Sequence, residues 1–127
     1  MTYLATSINE SATIVEKAGT DIVDVRGKAV KYSAGNVVLA GAGEAAIGVG
    51  ILTNDENIKA GADVDIQIKD IGHVCAGATF TKGTELAADA DGKLVAANDG
   101  NYVVAIAMED ATVAGAYIRA RLVNYKK

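Results

Sequence analysis

The chain has 127 residues, which is enough for one domain. Half of its residues are apolar, but one Phe, five Tyr and no Trp predict a core of small aliphatic side chains without a deep aromatic pocket. A net charge of −4 argues against a nucleic-acid partner bound through its phosphates, and no apolar run approaches the ~20 residues of a membrane-spanning helix. We therefore expect neither a nucleic-acid nor a membrane partner.

The first 25 residues differ in pattern from the rest of the chain. Their apolar residues are scattered singly or in pairs among polar ones, with one strand-like run at residues 12–16. The start also lacks the basic segment and the apolar run of a secretory signal. We predict an extended N-terminal arm over residues 1–25 and a single β-rich domain over residues 26–127.

Short strands separated by turns follow the arm. Residues 62–70 and 116–123 alternate between apolar and polar side chains, as half-buried strands do. Further apolar runs lie at residues 28–32, 37–40, 46–52, 71–76 and 102–108. Gly-containing turns separate these runs, and Asp-Gly pairs at residues 91–92 and 99–100 are typical of tight hairpins.

This spacing indicates an all-β fold with little helix. We predict a small β-barrel or a compact β-sandwich of short antiparallel strands, preceded by the extended N-terminal arm. A weak internal echo accompanies the pattern. A turn at Ala34–Gly35 leads to an apolar strand at residues 47–51, and a turn at Lys82–Gly83 leads to a similar strand at residues 103–107.

Two segments have the residue types of a catalytic or cofactor site. Residues 41–46 match the G-x-G-x-x-A pattern of dinucleotide-binding turns, but strand-like residues with two glycines follow where that mechanism needs a helix. We interpret the segment as a glycine-containing hairpin turn. His73 and Cys75 lie two residues apart on one strand, which separates them by roughly 6 to 7 Å, too far for a nucleophile and its base.

Metal-binding patterns are equally incomplete. Asp63 and Asp65 share a strand face, and Asp89 and Asp91 share a turn that begins like a calcium loop without its further ligands. The single cysteine excludes an internal disulfide and a Cys-based zinc site. We therefore predict no catalytic, cofactor-binding or metal site and expect that the protein is not an enzyme.

The order of motifs after residue 25 resembles a known family. The segments that carry the likeness are Gly27–Gly35, Ala46–Ile51, Ala60–Ile68, Gly72–Gly83, Asp89–Gly92, Val103–Glu109 and Ala116–Val123. In this order they resemble the capsid decoration proteins of tailed bacteriophages, also called cement or head-stabilisation proteins. The likeness covers about four-fifths of the chain and brings no catalytic motif with it.

The resemblance implies a structural virion protein on the exterior of the capsid, present in the host cytoplasm during assembly. It implies binding to the outer surface of the expanded capsid, where the protein stabilises the lattice by bridging neighbouring major capsid subunits. It also implies a homotrimer at three-fold or quasi-three-fold positions.

The arm offers candidate contact residues for this role. We expect Tyr3, Leu4 and Ile8 to contact the capsid or a neighbouring copy, because a few apolar anchors usually dominate such contacts. Two alternatives stay open at this point. One is another virion β-module, either of the tail or baseplate or as an adhesin that binds host glycans; the other is an enzyme that uses His73 and Cys75 or the Gly41 turn.

Overall fold

The computed structural model describes residues 12–127, and this part of the chain contains twelve β-strands and no helix. The all-β prediction is confirmed. The strands are β1 (Thr13–Lys17), β2 (Ile22–Val23), β3 (Ala29–Ser33), β4 (Asn36–Leu39), β5 (Gly48–Gly50), β6 (Asn57–Ile58), β7 (Asp63–Gln67), β8 (Ile71–Cys75), β9 (Glu85–Ala88), β10 (Leu94–Ala96), β11 (Tyr102–Ala107) and β12 (Tyr117–Lys126).

Ten of these strands form two five-stranded sheets. The first sheet has the order β1-β7-β5-β3-β4, and the second has the order β8-β12-β11-β9-β10. Neighbouring strands are antiparallel in both sheets, and β2 pairs with β6 in a separate small sheet. Of the two predicted architectures, the fold is a compact, sandwich-like packing of two sheets.

The two sheets are copies of one arrangement. When the strands of each sheet are counted along the chain, both sheets have the order first, fifth, fourth, second, third. In each sheet the residue after the first strand forms a parallel bridge to the opposite edge strand, Ala18 to Val37 and Ala76 to Leu94. Both sheets are therefore curled, with their edges joined at one point.

The backbone hydrogen bonds outside the strands repeat in the same way. Recurring donor–acceptor pairs are Gly27 N to Gly50 O and Gly83 N to Ala107 O, Lys28 N to Val25 O and Thr84 N to Thr81 O, Gly61 N to Ala18 O and Gly115 N to Ala76 O, and Ile68 N to Ala12 O and Leu122 N to Asp70 O. We call residues 12–68 the first unit and residues 70–127 the second unit. Each unit is one copy of the fold.

The duplication corrects the internal echo predicted from the sequence. The strand at residues 47–51 does correspond to that at 103–107, since β5 and β11 occupy the same place in their sheets. The turn before it was matched wrongly, because Gly83 corresponds to Gly27 and not to Gly35. Gly35 lies in the β3–β4 hairpin, whereas Gly27 and Gly83 lie in the turns that precede β3 and β9.

Each unit has a small aliphatic core, and the two cores meet where the sheets pack. The core of the first unit includes Val30, Val37, Val64 and Ile66, covered by Ile22 and Ile58 of the small sheet. The core of the second unit includes Phe80, Leu86, Leu94, Ile118 and Ala120, and it continues onto Ala29, Ala40, Ala46 and Val49 of the first unit. The sheets therefore pack through short side chains, as the composition predicts.

The second unit has a charged residue where the first unit packs an alanine between the sheets. Ala29 pairs with Val49 across strands, and the equivalent pair in the second unit is Glu85 and Ile106. The Glu85 carboxylate accepts a hydrogen bond of 2.5 Å from the Tyr125 hydroxyl and lies 3.2 Å from Lys127 Nζ. These two contacts lower the pKa of Glu85. This charged position lies next to a small separate apolar cluster of Ala87, Ala97 and Val103, against which Ile106 packs.

Two strands lie within the predicted arm of residues 1–25. Strand β1 pairs with β7 over its whole length, from Thr13 opposite Gln67 to Lys17 opposite Asp63. Strand β2 pairs with β6. The arm boundary at residue 25 stays a prediction, and residues 1–11 lie outside the part of the chain that the structure describes.

The two units are joined by backbone at Gly27. Its N–H donates to the Gly50 carbonyl, and its carbonyl accepts a hydrogen bond of 2.8 Å from the Cys75 N–H. Gly27 has a φ of +70°, and a Cβ atom there would lie 2.7 Å from the Cys75 nitrogen. Only glycine combines this conformation with this close approach.

We expect Gly27→Ala to destabilise the protein by about 3 kcal/mol, because it adds left-handed strain and a clash with the Cys75 backbone. Gly35→Ala is the matched control. Gly35 has a φ of +85° but nothing within 4 Å of its would-be Cβ, so its cost is strain alone, about 1 kcal/mol. Urea denaturation measures both values; equal losses would contradict the role given to the junction.

Candidate interaction surface

The G-x-G-x-x-A segment is a turn between β4 and β5 that contacts the second unit. The Glu44 carboxylate accepts a hydrogen bond of 2.6 Å from the Gly41 N–H and pairs with Lys31 at 2.7 Å; these contacts lower the pKa of Glu44, with Lys31 the larger cause. The Gly43 N–H donates to the Ala88 carbonyl. The dinucleotide alternative is wrong because β5, and not a helix, follows this turn.

His73 and Cys75 do not form a catalytic pair. His73 is exposed, whereas Cys75 is 5% exposed and its backbone is covered by the segment at Gly27. Burial raises the pKa of the Cys75 thiol, which disfavours the reactive thiolate. The arrangement fits a structural cysteine.

Alkylation tests this assignment. We expect iodoacetamide to label Cys75 at least about a hundredfold more slowly in the native protein than in 8 M urea (roughly, from its burial and raised pKa). The control is the variant His73→Cys, which adds a thiol at the exposed position on the same strand. Native labelling of wild-type protein at the rate of that variant would contradict the assignment.

One member of each acidic pair serves local structure. Asp63 forms an ion pair with Lys17 at 2.5 Å. Asp89 accepts hydrogen bonds from the N–H groups of Asp91 and Lys93 across its own turn. Within residues 12–127, no three His, Cys, Asp or Glu side chains are grouped as metal ligands, and no helix there is long and apolar enough to span a membrane.

An apolar groove lies where the first sheet meets β11 and β12 of the second sheet. Its volume is about 530 Å³. The lining residues are Ile14, Tyr32, Ala46, Ile47, Gly48, Ile68, Val104, Leu122, Val123 and Asn124. We call this surface the junction groove, since both units contribute to it.

The junction groove exists because the two units differ at one place. In the second unit, β12 continues to Lys126, so that Tyr102 and Val103 of β11 pair with Lys126 and Tyr125. In the first unit, β7 ends at Gln67 because the chain turns there to begin β8. Among the described residues, no strand therefore lies on the β7 side of residues 45–46, which correspond to Tyr102 and Val103.

The groove has an apolar floor and polar ends. Ile68 is 38% exposed and Tyr32 51% exposed. The Tyr32 hydroxyl donates a hydrogen bond to Glu16, which raises the pKa of Tyr32. At the other end, a concavity of about 390 Å³ continues the groove to Lys31 and Glu44. This shape and the unpaired backbone suit an extended peptide better than a small molecule.

The sequence prediction of contact residues falls elsewhere in the chain. Tyr3, Leu4 and Ile8 lie outside the described residues, so their contacts stay a prediction. The junction groove was not predicted, since its residues come from β1, β3, β11 and β12, from the segment that leads into β5, and from Ile68 just after β7.

Comparison with known protein families identifies the class of protein. A family model described as phage cement protein matches residues 15–122, which include nearly all of both units. The chain belongs to the phage cement protein family. This cement protein is therefore a structural, capsid-associated protein of the virion. The predicted family resemblance is confirmed.

A solved structure has the same fold. The N base of the head fiber gp8.5 of bacteriophage phi29 superposes on the cement protein with a TM-score of 0.67. The match covers 91% of this chain and 96% of that chain at 18% sequence identity. A comparison with curated protein sequences gives no match. The shared architecture extends over both units and is retained at low sequence identity.

Proposed function

We propose that the cement protein binds the outer surface of the expanded capsid and bridges neighbouring major capsid subunits. The observation that carries this proposal is the junction groove, an exposed apolar surface with unpaired backbone on a chain of the cement family. A protein that binds only the mature lattice stabilises it by mass action. Binding at many lattice positions adds avidity.

The groove supplies the first contact in this proposal. An extended segment of a major capsid subunit lies along residues 45–47 and pairs with the backbone groups of Ala45 and Ala46, in the manner of an added strand; the Ile47 N–H already donates to the Val30 carbonyl. Its apolar side chains pack on Ile47 and Ile68, which are only partly buried in the free protein. The N-terminal residues Tyr3, Leu4 and Ile8 supply a second contact, to the capsid or to a neighbouring copy.

The proposed assembly is a homotrimer at three-fold or quasi-three-fold positions of the capsid. In such an assembly each copy contacts a different set of capsid subunits, so that one trimer bridges several of them. The proposed location is the virion exterior, after assembly in the host cytoplasm. A net charge of −4 suits an exterior position, because it disfavours association with free nucleic acid.

Co-sedimentation with purified capsids tests the groove. We expect wild-type protein to bind expanded capsids and not unexpanded ones, and Ile68→Glu to weaken binding by about tenfold or more, since it puts a charge into an apolar contact. Val23→Glu is the matched control. Val23 is 66% exposed and lies outside the groove, so this variant should bind as the wild type does.

Thermal unfolding of both variants separates binding from folding, because both positions are exposed and both variants should unfold near the wild-type temperature. Equal binding by Ile68→Glu and wild-type protein would refute the groove contact. Binding of wild-type protein to neither capsid form would refute the proposed function as a whole.

A truncation that ends before β1 tests the contact proposed for the N-terminal arm. Removing residues 2–11 keeps all of β1 (Thr13–Lys17), and we expect lower occupancy on expanded capsids, because the three apolar anchors are lost. Thermal unfolding of the truncated protein checks that the fold is kept. A full-length variant with Tyr3, Leu4 and Ile8 changed to Ser should reproduce the loss, whereas changing Thr6, Ser7 and Asn9 to Ala should not. Full occupancy after truncation would exclude the arm contact.

A further inference from the structure

The two units carry opposite charge on equivalent faces. In the first unit, the cross-strand pairs on the outer face of β1 and β7 are Lys17 with Asp63 and Val15 with Asp65. On the same face of β8 and β12 in the second unit, the pairs are His73 with Arg119 and Ile71 with Arg121. Asp65 and Arg119 occupy equivalent positions of the repeat. We call these surfaces the acidic face and the arginine face.

Each face combines an exposed aliphatic side chain with a charge directly opposite it on the neighbouring strand. Val15 is 57% exposed and Ile71 51% exposed. Residues directly opposite in an antiparallel pair point to the same side of the sheet. The acidic face therefore presents Val15 beside Asp65, and the arginine face presents Ile71 beside Arg121.

The central charges of the two faces are available for a partner. Asp63 is paired with Lys17, and Arg119 lies 3.3 Å from Glu109. Asp65 and Arg121, by contrast, take part in none of the ion pairs among residues 12–127. Each molecule therefore has both surfaces. Its acidic face offers an unpaired carboxylate beside an aliphatic side chain, and its arginine face offers an unpaired guanidinium beside another aliphatic side chain.

We propose that copies of the cement protein associate head to tail, with the acidic face of one copy against the arginine face of the next. Asp65 of one copy pairs with Arg121 of its neighbour, and Val15 packs against Ile71. A contact between two different faces continues from copy to copy and closes when the copies form a ring. This inference rests on the proposed trimer and names the surfaces that hold it together.

Charge reversal tests the contact. Asp65→Arg and Arg121→Asp each place like charges opposite one another, and we expect each to weaken self-association by about tenfold or more. The double variant Asp65→Arg/Arg121→Asp restores opposite charges and should recover association. Sedimentation velocity and native mass spectrometry measure these states, and rising salt should weaken the wild-type contact because exposed charges are screened.

A mixture of the two single variants reports the number of copies in the ring. Asp65→Arg carries arginine at both contact positions, and Arg121→Asp carries aspartate at both, so opposite charges meet only where the two variants are neighbours. A closed ring of three built from both variants must place two identical variants side by side, which leaves at least one contact with like charges. The mixture should therefore fail to form the closed trimer that the double variant forms. Asp99→Arg and Lys82→Asp are matched controls, since they reverse exposed charges in turns and should leave association unchanged.

The outcomes separate this contact from capsid binding. If the wild type associates only on the lattice, the same variants should abolish cooperative filling of expanded capsids, and the double variant should restore it. If the wild-type protein self-associates but does not bind capsids, the proposed function is refuted and the contact between copies still stands. Wild-type behaviour of both single variants, in solution and on capsids, would overturn the contact, as would failure of the double variant to recover association.

Discussion

The arrangement of the cement protein depends on the backbone at Gly27, which lies between the two units. Its N–H and carbonyl bond to Gly50 and Cys75, and a side chain there would collide with the Cys75 backbone. These bonds fix β5 of the first unit relative to β8 of the second. They also cover the backbone of Cys75, whose burial raises the pKa of its thiol and disfavours the reactive thiolate. The position of the junction groove follows, because its walls are built from strands of both units.

The repetition of one arrangement with different side chains explains how one small fold can carry several surfaces. The equivalent positions Ala29 and Glu85 place a small apolar side chain between the packed sheets in one unit and a charged side chain at the same place in the other. Asp65 and Arg119 give equivalent faces opposite charge. The groove results from the different ends of β7 and β12. Each difference is a change of side chain or strand length within one shared topology.

Much of the fold could be predicted from local pattern, since the alternation around Val64 and Ile66 and around Ile118 and Ala120 identifies half-buried strands. The two-residue strands β2 and β6 could not, because periodicity needs more residues. The duplication had a usable signal in the Ala-Gly pairs at 18–19 and 76–77 and the Ala-Gly-Ala runs at 60–62 and 114–116. The groove had no such signal. It exists because β7 ends at Gln67 whereas β12 continues to Lys126, and local sequence pattern does not show where strand pairing stops.

The central claim is that this protein bridges major capsid subunits from outside. Electron cryomicroscopy of expanded capsids saturated with the protein, at a resolution that separates strands, tests it directly. The account predicts density on the outer surface that touches at least two capsid subunits, with a capsid segment lying along Ile47 and Ile68. Density confined to a single subunit, to the capsid interior or to the tail would contradict it.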